Sequence, residues 1–168
     1  MRWAIAHYHE LALKGRNREY FEQCLIQNIR TALKDLGVRQ VQDLHSRIRI
    51  DLPLEANADV VRDRLVRVCG IANFSLGRVI PLQIANPDLA ALAEVAVEEI
   101  TATSGTTFRV TAKRADKRLA LTSMDIERTI GATICERTGK TVNLKSPDVT
   151  IYIELLSREV YCAAEKIE

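Results

Sequence analysis

The sequence predicts a two-domain protein of the α+β class, and three features of the 168-residue chain support this. Segments in which apolar and polar residues alternate, as in strands, recur between longer segments with the apolar spacing of helices. In the first half the order is strand, helix, strand, strand, helix, strand, which is typical of a ferredoxin-like split βαβ unit. A stretch between Pro81 and Pro87 then precedes a second set of elements, so we expect domains at 1–78 and 79–168.

Local patterns define the elements of the first domain. A strand at 2–9 leads to the glycine-containing loop 14–18, where Asn17 is a good N-cap for a helix that extends to about Leu36. The remaining predicted elements are strands at 40–44 and 47–52, a helix at 57–68, and a strand at 71–81 that we expect to be broken at Gly77.

The second domain is predicted to begin with a helix that Asp88 caps and that ends near Thr103. A strand at 108–112 follows. Thr122 and Asp125 have the spacing of a capping box and open a helix that runs to about Thr138. The last predicted elements are strands at 140–143, 149–155 and 159–164, of which the final two form an antiparallel pair.

Composition excludes several classes of protein. With 47% hydrophobic and 27% charged residues the chain is an ordinary folded protein. It has no signal peptide and no apolar run of membrane length, so we expect a cytoplasmic protein. Its four cysteines have no zinc-binding spacing and are expected to be buried free thiols. Aromatic residues are scarce at 5%, which argues against a large platform for stacking bases.

The clearest functional signal is a basic cluster between the strand at 108–112 and the capped helix. Residues 109–118 contain five cations and one acid, a net charge of +4, whereas the whole chain carries +2. Lysine and arginine side chains beside the free N–H groups of a helix start favour polyanion binding. The candidate residues are Lys113, Arg114, Lys117 and Arg118.

A second basic loop repeats this arrangement in the first domain. Residues 14–18 join a strand to a helix start, and their candidate contacts are Lys14, Arg16, Asn17 and Arg18. Arg47 is a further candidate, on the non-core face of the strand at 47–52. We predict that the two basic loops face a common groove. No catalytic motif is present, and His7 and His9 lack the third ligand that a metal site needs.

Several motifs in these segments resemble a known family. F-x-V-x-x-K-R-x-x-K at 108–117, S-M-D-I-E-R-x-I-G at 123–131 and N-L-x-x-P-D-V-x-I-x-I-E at 143–154 resemble the THUMP domain. The version resembled most is that of bacterial tRNA 4-thiouridine synthetases, also called thiamine-biosynthesis sulfurtransferases. L-K-G-R-N-R at 13–18 and H-S-R-I-R-I at 45–50 resemble the N-terminal ferredoxin-like domain of those enzymes, so the resemblance covers essentially the whole chain.

The resemblance implies a tRNA-binding module without catalysis of its own. In the family, the two domains hold the acceptor end of tRNA, an ATP-pyrophosphatase domain further along the chain adenylates a uridine, and a persulfide donor supplies sulfur. The chain ends where that catalytic domain is expected, so ATP is expected only there, and no cofactor is expected on these 168 residues. The implied RNA contacts are residues 113, 114 and 117 and the loop 14–18, with Arg47 nearby; Arg118 rests on its charge alone.

Three alternatives stay open. The first is a stand-alone RNA-binding adaptor for another tRNA-modifying enzyme. The second is an acylphosphatase-like enzyme, in which the loop 14–18 cradles a phosphate. The third is an assembly domain whose exposed strand edges pair between copies, and such a homodimer is compatible with RNA binding.

Overall fold

The computed structural model describes residues 2–8, 16–44, 47–81, 88–114, 121–156, 158–165 and 167. The chain divides into two compact units, Met1–Leu76 with Lys166–Glu168, and Gly77–Glu165. The domain ranges expected from the sequence, 1–78 and 79–168, remain a prediction. Within the described segments, none of the helices combines the length and the apolar character needed to span a bilayer.

The first unit has the predicted order of elements, which confirms the ferredoxin-like arrangement. Its strands are ordered β2-β3-β1-β4 in the sheet, and β3 is antiparallel to both β1 and β2. The elements are β1 (Arg2–Tyr8), α1 (Arg16–Ala32), β2 (Gln40–Asp43), β3 (Arg47–Leu52), α2 (Ala58–Leu65) and β4 (Ile71–Pro81).

The core of the first unit lies between one face of its sheet and the two helices. Alternate strand residues such as Ala4 and Ile50 pack with Leu25 and Ile29 of α1 and Leu65 of α2, and all of them are buried. The two-residue period of the strands and the helical spacing of α1 therefore direct their apolar side chains into the same layer.

The second unit is a mixed sheet with two helices. The strand order is β4-β8-β7-β5-β6, where β5 is parallel to β7 and β6, and β8 is antiparallel to β7 and β4. Its further elements are α3 (Leu89–Thr101), β5 (Thr107–Arg114), α4 (Ser123–Thr138), β6 (Thr141–Val142), β7 (Val149–Leu155) and β8 (Glu159–Ala163). Its core joins Leu92 and Ile100 of α3, Ile130 of α4, and Phe108 and Ile151 of the sheet.

The break predicted at Gly77 is wrong, because β4 continues through it. A Cβ on Gly77 would lie 2.2 Å from the carbonyl oxygen of Cys162 and 2.8 Å from the Cβ of Ala163. The glycine therefore permits β8 to approach β4 closely, which is a second reason for a glycine within a strand.

Helix boundaries differ from the prediction mainly in α1. This helix begins at Arg16 and ends at Ala32, so Asn17 lies in the first turn and is not the N-cap. The caps predicted for the second unit are confirmed. Asp88 accepts a hydrogen bond from the N–H of Ala91, and Thr122 and Asp125 form a complete capping box.

Candidate nucleic-acid interface

The end of β5 carries two of the predicted cations, and they have different environments. The strand extends to Arg114, beyond the predicted limit of 112, so Lys113 and Arg114 are strand residues. Lys113 is exposed. Arg114 is half-buried and donates from Nη1 to the carbonyl oxygen of Leu121 at 2.8 Å, just before α4. Lys113 is therefore available to solvent anions, whereas Arg114 also ties the strand end to the helix start.

The first turn of α4 already contains a carboxylate, that of Asp125. The N–H of Thr122 donates to Oδ2 of Asp125 at 2.9 Å, and the N–H of Asp125 donates to Oγ1 of Thr122 at 3.1 Å. The hydrogen bonds from Thr122 lower the pKa of Asp125 below its usual value. Because this carboxylate occupies the helix start, the backbone donors there are less available to phosphate than the sequence suggested. The cations of the cluster then carry most of the attraction.

The loop between β5 and α4 contains the other two predicted cations. Lys117 and Arg118 lie at 115–120, outside the residues that the structure describes. Lys14 is also outside them, as is the side chain of Arg16. The contacts assigned to these four side chains stay predictions, and so does the common groove of the two loops.

Arg18 is part of a polar network on the first turns of α1. Its Nε donates to Oε1 of Glu22 at 2.8 Å, and the hydroxyl of Tyr8 donates to the same oxygen at 2.6 Å. The hydrogen bond with Glu22 raises the pKa of Arg18 above its ordinary value, and burial raises that of Tyr8. The Arg18 side chain keeps 42% of its surface exposed, and neighbouring Asn17 is exposed. Arg18 is thus oriented by the protein and still accessible.

The two arginines of β3 have unequal prospects as RNA contacts. Arg47 opens the strand opposite His7 and is half-buried. Arg49 pairs with Asp51, with Nε 2.8 Å from Oδ1 and a hydrogen bond of 3.1 Å from Nη2 to Oδ2. Its guanidinium carbon also lies 4.1 Å from the ring centroid of the buried Trp3. These contacts make Arg49 a structural cation.

A third basic group was missed by the sequence analysis. Arg30, Lys34 and Arg39 line a cleft of about 240 Å³ beside the edge strand β2, together with Val38, Gln40 and Val41. The signal in the sequence is weak, since the three cations are spread over ten residues that also include Asp35. They become neighbours because α1 ends and the chain turns back into β2.

An apolar cleft of about 430 Å³ lies in the second unit, between β5, β6 and α4. Exposed hydrophobic side chains line it, including Met124 at 57%, Val142 at 51% and Leu144 at 70% exposure. Leu144 belongs to a turn in which Oδ1 of Asn143 accepts from the N–H groups of Lys145 and Ser146 at 3.1 Å. This cleft was not predicted either.

The cysteines and acidic residues provide no metal site within the described ranges. All four cysteines are free. The expectation that they are buried is confirmed only for Cys162, because Cys24 and Cys135 are half-buried and Cys69 is exposed. Burial raises the pKa of Cys162 to about 12, so at neutral pH it is a thiol and a poor nucleophile.

Comparison with known proteins assigns both halves of the chain. A model of the ThiI ferredoxin-like domain matches residues 4–75, and a model of the THUMP domain matches residues 86–163. A probable tRNA sulfurtransferase of Alkaliphilus metalliredigens (strain QYMF) is 37% identical over 152 residues, which are 90% of this chain and 38% of that protein. The chain thus spans well under half the length of this curated relative.

Solved structures give the same assignment. A 4-thiouridine synthetase, crystallised as an RNA complex with bound ATP, matches 99% of this chain and 42% of its own, with a TM-score of 0.85 and 26% identity. A protein from Pyrococcus horikoshii matches all of this chain and 55% of its own, with a TM-score of 0.82 and 28% identity. The chain therefore belongs to the family in which a ThiI ferredoxin-like domain is followed by a THUMP domain.

Proposed function

We propose that this chain is the tRNA-binding part of a tRNA sulfurtransferase that makes 4-thiouridine, and that it positions the acceptor end of tRNA for modification. The observation that supports this most is the structural match to a 4-thiouridine synthetase crystallised with RNA, which extends over 99% of the chain. Both domain matches and the name of the sulfurtransferase relative point the same way.

The charges of the described residues suit this role. Lys113 is an exposed cation near the end of β5, and Arg18 is an arginine that Glu22 holds in place. Backbone phosphates are neutralised by such side chains, which contribute affinity and register without reading base sequence. We therefore expect the module to recognise the shape of tRNA more than its sequence.

Catalysis is proposed to lie in another domain. The chain spans 38% of its sulfurtransferase relative, and the modification chemistry would require an ATP-pyrophosphatase domain and a persulfide sulfur donor. The buried Cys162 is unsuited to carrying sulfur because its thiol is protonated and inaccessible. In the proposal, this chain binds tRNA and no cofactor, whether it acts as a monomer or as a homodimer.

Filter binding of the chain to tRNA over a series of salt concentrations tests the proposal. We expect the logarithm of the association constant to fall linearly with that of salt, with a slope of about −0.7 to −0.9 per phosphate contact. A duplex DNA of equal length serves as the control and should bind more weakly. Affinity that is independent of salt, or equal for tRNA and duplex, would falsify the proposal.

A further inference from the structure

The basic cleft beside β2 has the composition of an anion site. Three of its six lining residues are the cations Arg30, Lys34 and Arg39, and none is acidic. Arg30 is anchored there, because its Nη2 donates to the carbonyl oxygen of Val41 at 3.3 Å. Lys34 and Arg39 are exposed, and in the described part of the chain their side chains form neither a hydrogen bond nor an ion pair.

Two nearby carboxylates are paired with arginines that do not line the cleft. Asp35 follows Lys34 directly, but it pairs with Arg64 through both carboxylate oxygens, including a contact of 2.8 Å from Nη2 to Oδ2. Asp51 pairs with Arg49. The cleft therefore keeps a local excess of positive charge.

At the C-terminus of α1 a cation already caps the helix, and this cation is Arg64. Lysine and arginine in that position often cap the last carbonyl groups and offset the helix dipole. Here Nη1 of Arg64 donates to the carbonyl oxygen of Ala32, the last residue of α1, at 3.0 Å. Among the described residues, the side chains of Lys34 and Arg39 are therefore needed neither for helix capping nor for ion pairing.

We propose that this cleft binds a phosphate group of the tRNA backbone, as a contact site in the ferredoxin-like unit separate from the loop 14–18. The inference rests on the proposed function and adds to it a second contact surface. Three cations around one recess suit a phosphodiester, because the charge is neutralised by side chains with several donors each. Gln40, also in the lining, supplies a neutral amide that can bond to an adjacent ribose or phosphate oxygen.

The test compares two double variants that lose the same charge. Lys34→Gln with Arg39→Gln changes the cleft, whereas Arg67→Gln with Arg158→Gln removes two exposed cations that do not line it. For the cleft variant we expect a several-fold weaker tRNA affinity and a salt slope smaller in magnitude by about 0.7 to 0.9, as for one lost phosphate contact. The control variant should keep most of the wild-type slope.

Folding is checked by urea unfolding followed through the fluorescence of Trp3, the only tryptophan in the chain. If the double variant unfolds early, Lys34→Gln alone replaces it, with a slope change in the same direction that is expected to be smaller than that of the double variant. Equal losses in the cleft and control variants, or a wild-type slope in the cleft variant, overturn the inference while the proposed function stands. If the wild-type chain does not bind tRNA, the proposed function fails and this inference fails with it.

Discussion

Arg49 and Arg39 belong to the same unit and contact the same aspartate, yet their side chains have opposite environments. Arg49 pairs with the carboxylate of Asp51 and lies over Trp3. Arg39 donates only its backbone N–H to the carbonyl oxygen of Asp51, at 3.0 Å, and its side chain lines the basic cleft. One arginine therefore has its counter-ion within the fold, and the other has none among the described residues.

The difference separates cations that stabilise the fold from cations that remain for a ligand. A paired and largely buried cation is costly to remove, since its partner is left without compensation. An exposed cation without a partner contributes little to stability but interacts with any polyanion that approaches. Arg114 is intermediate, because it bonds to the Leu121 carbonyl and lies at the end of the basic strand β5.

The largest expected effect is on stability, for Arg49→Gln. This substitution leaves Asp51 without its partner, and the two side chains expose only 17% and 10% of their surface. Losing a partner from a buried pair costs about 3–5 kcal/mol; since this pair retains some solvent contact, we expect about 2–3 kcal/mol. Urea unfolding monitored by Trp3 fluorescence measures it.

Arg39→Gln is the matched control for Arg49→Gln. It removes the same charge from the same unit, and we expect an unchanged unfolding midpoint with weaker binding of tRNA. Similar losses of stability in the two variants would contradict the distinction between these arginines, because they would show that the Arg39 side chain also has a structural role.

The sequence predicted the features that depend on local spacing. Thr122 and Asp125 are three residues apart on one helix turn, so their capping box was recognisable before the structure was known. The order of elements in the first unit followed from the periods of its strands and helices. These features require no knowledge of which distant residues meet.

The pairing of charges could not be predicted, because it depends on contacts between elements. Arg47 and Arg49 look alike in the alternating pattern of β3, and only the structure shows Arg49 over Trp3 of the neighbouring strand. In the same way, Asp35 reduces the apparent charge of its segment until its pairing with Arg64, 29 residues away, is known. A count of charges along the chain therefore found the cluster at 109–118 and missed the cleft.

An intermediate effect is expected for Asp35→Asn, and it depends on pH. The hydrogen bond from Arg64 lowers the pKa of Asp35 to about 2, against roughly 3.9 in an unfolded chain. A depressed folded-state pKa means that the pair stabilises the fold fully above about pH 4 and ceases to do so as the pH falls through about 2. The unfolding midpoints of wild type and variant should therefore differ most at neutral pH and converge between pH 4 and 2.

The same variant sharpens the interpretation of the basic cleft. Removing a carboxylate next to Lys34 raises the local positive potential, so tRNA affinity at neutral pH should stay equal or increase. A stability difference that is constant over the whole pH range would show that Asp35 acts through packing and not through its charge. Weaker tRNA binding by the folded variant would contradict the role assigned to the cleft.

The smallest expected effect is that of Lys113→Gln, which tests whether the basic strand end of the second unit contacts RNA. Lys113 is preferable to Arg114 for this purpose, since it is exposed and replacing Arg114 would also break the bond to Leu121. We expect no change in thermal stability and a salt slope for tRNA smaller in magnitude by about 0.7 to 0.9, the value for one phosphate contact. Arg158→Gln removes another exposed cation of the same unit and is the control for a general loss of charge. If Lys113→Gln and Arg158→Gln have the same slope, the end of β5 makes no phosphate contact of its own through Lys113, and the cations at 30, 34 and 39 become the better-supported surface.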